Sequence, residues 1–261
     1  LSGSPVDALC SRSIPVDDAE RRIYIPLSSF DNHSYDYSDA LRSKNAVDVL
    51  SRDGVTAVME KKPTIVAMDL EGVLVPEIWI AVSEKTGIEK LRLTTRDVSD
   101  YDELMKMRLE ILKENHLALS DIQDVINSVD PLEGANDFLD WVRDRSQVVI
   151  LSDTYYEFAL PLMKKLSYPT LFCNNLETDE NNTIVSYHLR IRDGKKKATK
   201  ALKNLGFRVI SMGDSYNDTT MLGEADVGIL FRPPENVVRE FPQHRVFYEY
   251  NELKTYLKEL L

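Results

Sequence analysis

The chain has 261 residues, 43% of them hydrophobic, with a formal net charge of -11 and a pI near 4.9. That length supports one large α/β core plus a modest insertion. The acidity argues against a phosphate-backbone partner, so no nucleic acid is expected, although one local cation site would still admit a small phosphorylated ligand.

Cys10 and Cys173 lie far apart without CxxC spacing. They form neither a disulfide framework nor a zinc site, and they fit a reducing, cytoplasmic setting. No apolar run reaches the roughly 18 residues of a membrane helix, so no membrane association is expected. Leu1 to Pro5 lacks a basic region followed by an apolar one, unlike a secretory signal.

Residues 1–62 are rich in Ser, Asp, Arg, Asn and Tyr, with scattered apolar positions. They read as a polar, poorly ordered extension, with Ile23–Leu27 as a short strand and Ser38–Leu50 as a weak helix. Organellar targeting by this extension stays open, although its many Asp residues are unlike a transit peptide.

Regular patterning starts at Thr64. Thr64–Asp69 reads as a buried parallel strand. Pro76–Thr86 is a helix with Pro in its first turn and Gly87 past its end. Asp100–Asn115 is an amphipathic helix, and Ser120-x-x-Gln123 is a capping box opening a third helix over 120–128. No strand interrupts 77–130, which makes this a helical insertion. Alternation then resumes: helix 133–145, strand 147–151, helix 155–166 and strand 170–173. A hairpin of 176–177 with 184–190 turns around Asp179–Asn182. Helix 196–205, strand 208–212, helix 219–224, strand 227–230, helix 235–241, strand 246–248 and helix 252–260 complete the chain. The pattern predicts an α/β, Rossmann-like three-layer parallel sheet with a small helical cap inserted after the first strand. The domains are then a core of 63–76 and 131–261, and a cap of 77–130. No G-x-G-x-x-G or Walker loop is present to mark a nucleotide fold.

Chemistry-bearing residues cluster where these strands end. The first strand leaves its core on Asp69-Leu70-Glu71-Gly72, two acids that repel each other unless a cation or proton intervenes. Val148–Leu151 runs into Ser152-Asp153, and Val209–Met212 runs into Gly213-Asp214-x-x-Asn217-Asp218. Lys195-Lys196-Lys197 opens the helix between them. Strand C-termini of a parallel sheet share one edge, so Asp69, Glu71, Ser152, Asp214 and Asp218 should converge near a lysine. Singly, Ser152 reads as a turn residue, the lysines as a solvated helix start and Asp214 as a cap. Jointly they suit phosphoryl transfer through an aspartyl-phosphate: a carboxylate nucleophile, carboxylates for a hard Mg²⁺, and a hydroxyl and a lysine around the phosphoryl group.

Asp69-Leu-Glu-Gly-Val, Leu151-Ser-Asp, the lysine and Gly213-Asp-x-x-Asn-Asp218 resemble the motifs of the haloacid dehalogenase-like hydrolases. The longer stretches Asp69-Leu-Glu-Gly-Val-Leu-Val-Pro-Glu-Ile-Trp79, Pro131-Leu-Glu-Gly134, Leu151-Ser-Asp-Thr154 and Gly213-Asp-Ser-Tyr-Asn-Asp-Thr-Thr-Met-Leu222 are similar to the bifunctional phosphoserine phosphatase/homoserine phosphotransferase subgroup. The resemblance runs from Thr64 to the C-terminus. It implies a Mg²⁺-dependent hydrolase of O-phospho-L-serine, with possible transfer to homoserine. Asp69 is then nucleophile and metal ligand, and Glu71 general acid/base with its backbone carbonyl on the metal. Ser152 and Asp153 bind the substrate, and Lys195, or Lys196 in reserve, neutralises the aspartyl-phosphate. Asp214 is the second carboxylate ligand, Asp218 holds waters or the lysine, and Asn217 contacts substrate or the metal shell.

Ordinary phosphoserine phosphatases carry Asp where this chain has Glu71, although the subgroup resembled has Glu. The longer arm is expected to favour transfer to an alcohol over water. In the family resembled, a Glu after the first motif and a cap-helix Arg grip the amino acid, which points to Glu77 for the ammonium and Arg108 for the carboxylate. Arg108 also reads as a helix-surface ion pair with Glu110 or Glu114. Met105 fits pocket or core equally. The partner expected is a small phosphorylated amino acid, bound by a monomer or homodimer. The alternatives are phosphatase action on another small monoester, such as a sugar phosphate, and a catalytically silent binding protein on the same fold.

Overall fold

In a computed structural model, residues 62–94, 97–98 and 100–261 are described. The expected extension, with its strand at Ile23–Leu27 and helix at Ser38–Leu50, lies outside them.

The hydrophobic runs form seven strands: β1 Thr64–Met68, β2 Gln147–Tyr155, β3 Thr170–Thr178, β4 Ile184–His188, β5 Arg208–Gly213, β6 Val227–Phe231 and β7 Arg245–Phe247. They make one sheet in the order β4-β3-β2-β1-β5-β6-β7, parallel throughout except for β4, which returns antiparallel to β3. The chain moves outward from β1 to β4 on one side and then crosses to β5 on the other. The reversal lies between β1 and β5, where open α/β sheets open a crevice at their carboxyl edge.

Side chains alternate along β1. Val66 and Met68 join the core on one sheet face, and Ile65 and Ala67 join that on the other. Helices α4 Ala135–Arg143, α5 Tyr156–Lys165 and α9 Tyr250–Leu257 supply Phe138, Phe158 and Leu253 to the first face. Helices α6 Gly194–Asn204, α7 Thr219–Glu224 and α8 Glu235–Glu240 supply Leu202, Met221 and Val237 to the second. This is the expected three-layer architecture.

Between β1 and α4 run α1 Ile78–Thr86, a short 3-10 turn at Glu89–Arg92, α2 Tyr101–Glu114 and α3 Leu119–Asn127. The 3-10 turn was not anticipated. Asp100 caps α2, its carboxylate accepting from the Glu103 N–H at 3.0 Å. The expected Ser120/Gln123 box does not form. Asp121 accepts from the Ala118 N–H at 2.8 Å, while the Ser120 N–H goes to Asn182 at 2.9 Å. Gln123 instead donates to the Glu157 carbonyl on α5 at 2.9 Å.

Strand lengths also differ from the expectation. β2 continues past Leu151 to Tyr155, and β3 is one strand where two pieces were read. The insertion therefore does more than cover strand ends. It packs on α5 through Trp79 against Phe158. It meets β2 through the Tyr101–Tyr155 hydroxyl pair at 2.7 Å, and the β3–β4 hairpin through Leu119 N–H to Asn182 O at 2.8 Å.

Candidate active site

β1 delivers Asp69 to the carboxyl edge, fixed by its N–H to the Met212 carbonyl of β5 at 3.0 Å. The chain then turns sharply at Gly72, with φ +74°. A Cβ there would lie 2.5 Å from Asp214 Cγ, so any other residue would strain the turn and push the Asp214 carboxylate aside. A Cβ on Gly213 would likewise strike Asp218 at 2.3 Å. The glycines of both motifs are thus required by close approach.

Lys195, at the start of α6, sits at the centre. It is buried, while Lys196 and Lys197 are exposed, so of the three lysines only Lys195 reaches the acids. Its Nζ lies 2.8 Å from Asp218, 3.0 Å from Asp69 and 3.5 Å from Asp153. Burial alone would depress this ammonium, but the surrounding carboxylates, Asp218 foremost, outweigh it and hold the pKa well above the usual range. Asp218 spends both oxygens: one on Lys195, the other on the Asp214 and Ser215 N–H groups at 3.0 and 3.1 Å.

Asp69, Asp214 and Asp218 each place an oxygen within 4.8 Å of the others, a group able to hold a metal ion. The donors are hard carboxylates without Cys or His, a set that suits a hard divalent cation. Burial, then the Asp218 charge, pushes Asp69 above the carboxylate range and Asp214 up to about 7. One lysine undercompensates these acids, and a divalent cation would complete the balance.

Glu71 accepts from the Ile78 N–H at 2.8 Å, at the first residue of α1. Burial first, then the Glu77 charge, raises its carboxyl to about 8. A carboxyl raised this far keeps its proton at neutral pH. Ser152 is buried at the end of the apolar part of β2, and its Oγ accepts from the Thr154 N–H at 3.2 Å. Asn217 donates to Asp153 at 3.0 Å, locking the β2 and β5 loops together.

Asp69, Glu71, Ser152, Lys195, Asp214 and Asn217 line a cleft of about 1270 Å³, with Asp218 buried behind them. Glu77, exposed, and Arg108, buried, face it from the insertion. The surface ion pair weighed for Arg108 does not form: among the described residues no acid lies within ion-pair distance. Its guanidinium donates to the Leu93 carbonyl at 2.7 Å and lies 4.4 Å from the Trp79 ring centroid. Burial lowers its pKa to about 10, so it stays charged. Met105 packs in the core and does not line the cleft.

Over 200 residues the chain is 60% identical to the phosphoserine phosphatase of Pseudomonas syringae pv. tomato, covering 77% of this chain and 84% of that protein. Over 190 residues it is 60% identical to the phosphoserine phosphatase ThrH of Pseudomonas aeruginosa, covering 73% of this chain and 93% of that one. The chain belongs to the phosphoserine phosphatase family. No family model matches it. Solved phosphoserine phosphatases share the fold at low identity. A substrate-bound complex superposes with a TM-score of 0.64 at 18% identity, covering 76% of this chain and 99% of that one. A phospho-aspartyl intermediate analogue gives 0.63 at 17%, covering 75% and 99%. The haloacid dehalogenase-like core expected of the family is the architecture found here.

Three contacts around this cleft are not readable from the sequence. These are the Ile78 N–H that holds Glu71, the Trp79 face against Arg108, and the Asn217–Asp153 tie. Each depends on a contact between separate elements, although Trp79 lies in the first motif and was in view. Among the described residues no helix is long and apolar enough to cross a membrane.

Proposed function

We propose that the chain hydrolyses O-phospho-L-serine to serine and phosphate through a phosphorylated Asp69. The observation that carries this reading is the buried Asp69 carboxylate at the carboxyl edge, 3.0 Å from Lys195 and clustered with Asp214 and Asp218.

The residues divide the work as follows. An Asp69 oxygen attacks phosphorus, and the bond from phosphorus to the serine oxygen breaks. Glu71 gives its proton to the departing alkoxide. Lys195 and the Ser152 hydroxyl neutralise and orient the phosphoryl oxygens. Glu71, now anionic, takes a proton from water, whose oxygen attacks phosphorus and releases Asp69 and inorganic phosphate. Asp69, Asp214 and the Glu71 backbone carbonyl would hold Mg²⁺. Asp218, with both oxygens already bonded, orders its waters and Lys195. Bound there, Mg²⁺ screens the repulsion between a dianionic phosphate and an anionic nucleophile. Asn217 steadies Asp153 at the substrate's edge.

The insertion, 77–130, acts as a cap on the core of 63–76 and 131–261. It places Glu77 for the substrate ammonium and Arg108 for its carboxylate. A buried cation without an acid partner is costly unless a ligand completes it, and a carboxylate does so where a sugar does not. This favours a phosphorylated amino acid over a sugar phosphate. The intact catalytic set disfavours a silent binding protein. With Glu71 anchored at α1, homoserine can take the place of water as acceptor. The cysteine usage supports a cytoplasmic setting.

The test is phosphoserine turnover with and without Mg²⁺ and with and without homoserine, beside Asp69→Asn. Wild type should release phosphate only with the metal, and Asp69→Asn should lose at least about 10⁴-fold in kcat. Normal turnover by Asp69→Asn would exclude the phosphoenzyme.

A further inference from the structure

Arg108 poses a question the reaction leaves open: what holds a buried guanidinium without an opposing acid? The residue is 6% exposed, and among the described residues its Nε has no hydrogen-bond partner. One terminal nitrogen donates to the Leu93 carbonyl at 2.7 Å, and the other lies 3.8 Å from the Met105 sulfur. Leu93 fixes one corner of the plane and the thioether is a weak acceptor. The remaining contact is broad. The Trp79 ring, on α1, lies 4.4 Å from the guanidinium carbon.

Trp79 is itself held from behind. It meets Phe158 of α5 edge-on, with centroids 5.4 Å apart and planes at 74°. Phe158 is fully buried in the core. A stack therefore runs from the core helix through α1 to the Arg108 of α2. An aromatic face attracts a cation without neutralising it, whereas an acid would occupy the same fork a carboxylate ligand needs.

We propose that Trp79 is a positioning residue for substrate selection. It is the platform that holds the Arg108 fork flat, charged and vacant for the substrate's carboxylate, in register with the catalytic core. The role rests on the phosphoserine reading above. It assigns to Trp79 selectivity for the carboxylate and no part in the bond-breaking steps.

The experiment compares phosphoserine with phosphoethanolamine, which keeps the phosphate and ammonium but lacks the carboxylate, in wild type, Trp79→Leu, Trp79→Phe and Arg108→Met. Trp79→Leu should raise the phosphoserine KM about tenfold with kcat falling less than threefold, an effect the size of one lost desolvated cation–π contact. Phosphoethanolamine kcat/KM should fall less than threefold in the same variant. Trp79→Phe, with a smaller face, should recover most of the phosphoserine loss. Equal losses on both substrates, or a loss confined to kcat, would overturn the role and leave Trp79 as packing. If circular dichroism shows Trp79→Leu unfolded, the phenylalanine variant decides: a phosphoserine KM raised about twofold to threefold supports the role, and an unchanged KM overturns it. Failure of wild type to turn over phosphoserine defeats the proposed function itself. Wild-type turnover that drops in Arg108→Met but not in either Trp79 variant defeats only the platform.

Discussion

The two sides of the cleft treat charge in opposite ways. On the core side every buried charge is cross-linked: Lys195 meets three carboxylates, and Asp218 binds Lys195 with one oxygen and two backbone N–H groups with the other. On the insertion side Arg108 is buried against a carbonyl, a thioether and a tryptophan face, with no acid in ion-pair reach among the described residues. The core side chains are already tied to one another before substrate arrives, with only a cation still needed to balance the acids, as fits groups that must meet a transition state without rearranging. The Arg108 site is left incomplete, as fits a receptor whose partner is the ligand. On the proposed roles, the contrast separates turnover from recognition.

Substitutions should break the two sides in different ways. The largest effect after removal of Asp69 is expected from Asp218→Ala, which strips Lys195 of its shortest partner and orphans the Asp214 loop. Breaking a buried pair this way costs about 3–5 kcal/mol of stability, and kcat should drop about 10³-fold. Thermal unfolding and steady-state kinetics measure both. A stable, active Asp218→Ala protein would show that the core network is not preorganised by that residue.

Arg108→Met should leave stability nearly intact or improve it, because it removes a buried charge with no acid partner. It should raise the phosphoserine KM roughly 100-fold, the size of a lost charged hydrogen-bond pair. A large loss of thermal stability would mean that Arg108 is structural, erasing the contrast.

Gly72→Ala tests how closely the β1 and β5 loops must approach. The strained φ and the collision with Asp214 should weaken Mg²⁺ activation at least about tenfold, read as a rightward shift of the metal titration. An unshifted titration would locate the metal away from Asp214.

Glu71→Asp should have the smallest effect, a change of a few-fold in the partition of phosphate between water and homoserine. The shorter arm cannot hold the Ile78 N–H and face the substrate at once. An unchanged product ratio would remove Glu71 from acceptor choice.

The core side was legible because its logic is local. Each group stands directly after an apolar run, and a parallel sheet puts such ends on one edge. The insertion side was less legible. Helical periodicity placed Arg108 and Met105 on one side of α2, yet periodicity alone left open ion pair or receptor for Arg108 and pocket or core for Met105. The Ser120/Gln123 cap failed for a related reason. Asn182, from a hairpin far along the chain, took the Ser120 N–H, and a tertiary contact displaced a local one.

The sequence by itself determined the strand-helix alternation, the parallel sheet and which acids, hydroxyl and lysine follow the strand ends. These follow from hydrophobic period and from residues covalently adjacent to strand ends. Only the tertiary structure decided that Lys195 and not its neighbours is buried, that Gly72 yields to Asp214, that Glu71 hangs on the first turn of α1, and that Arg108 rests on Trp79 without an acid. Each of those outcomes depends on which side chain fills a space between two elements, and that is fixed by packing across the fold, not by spacing along the chain.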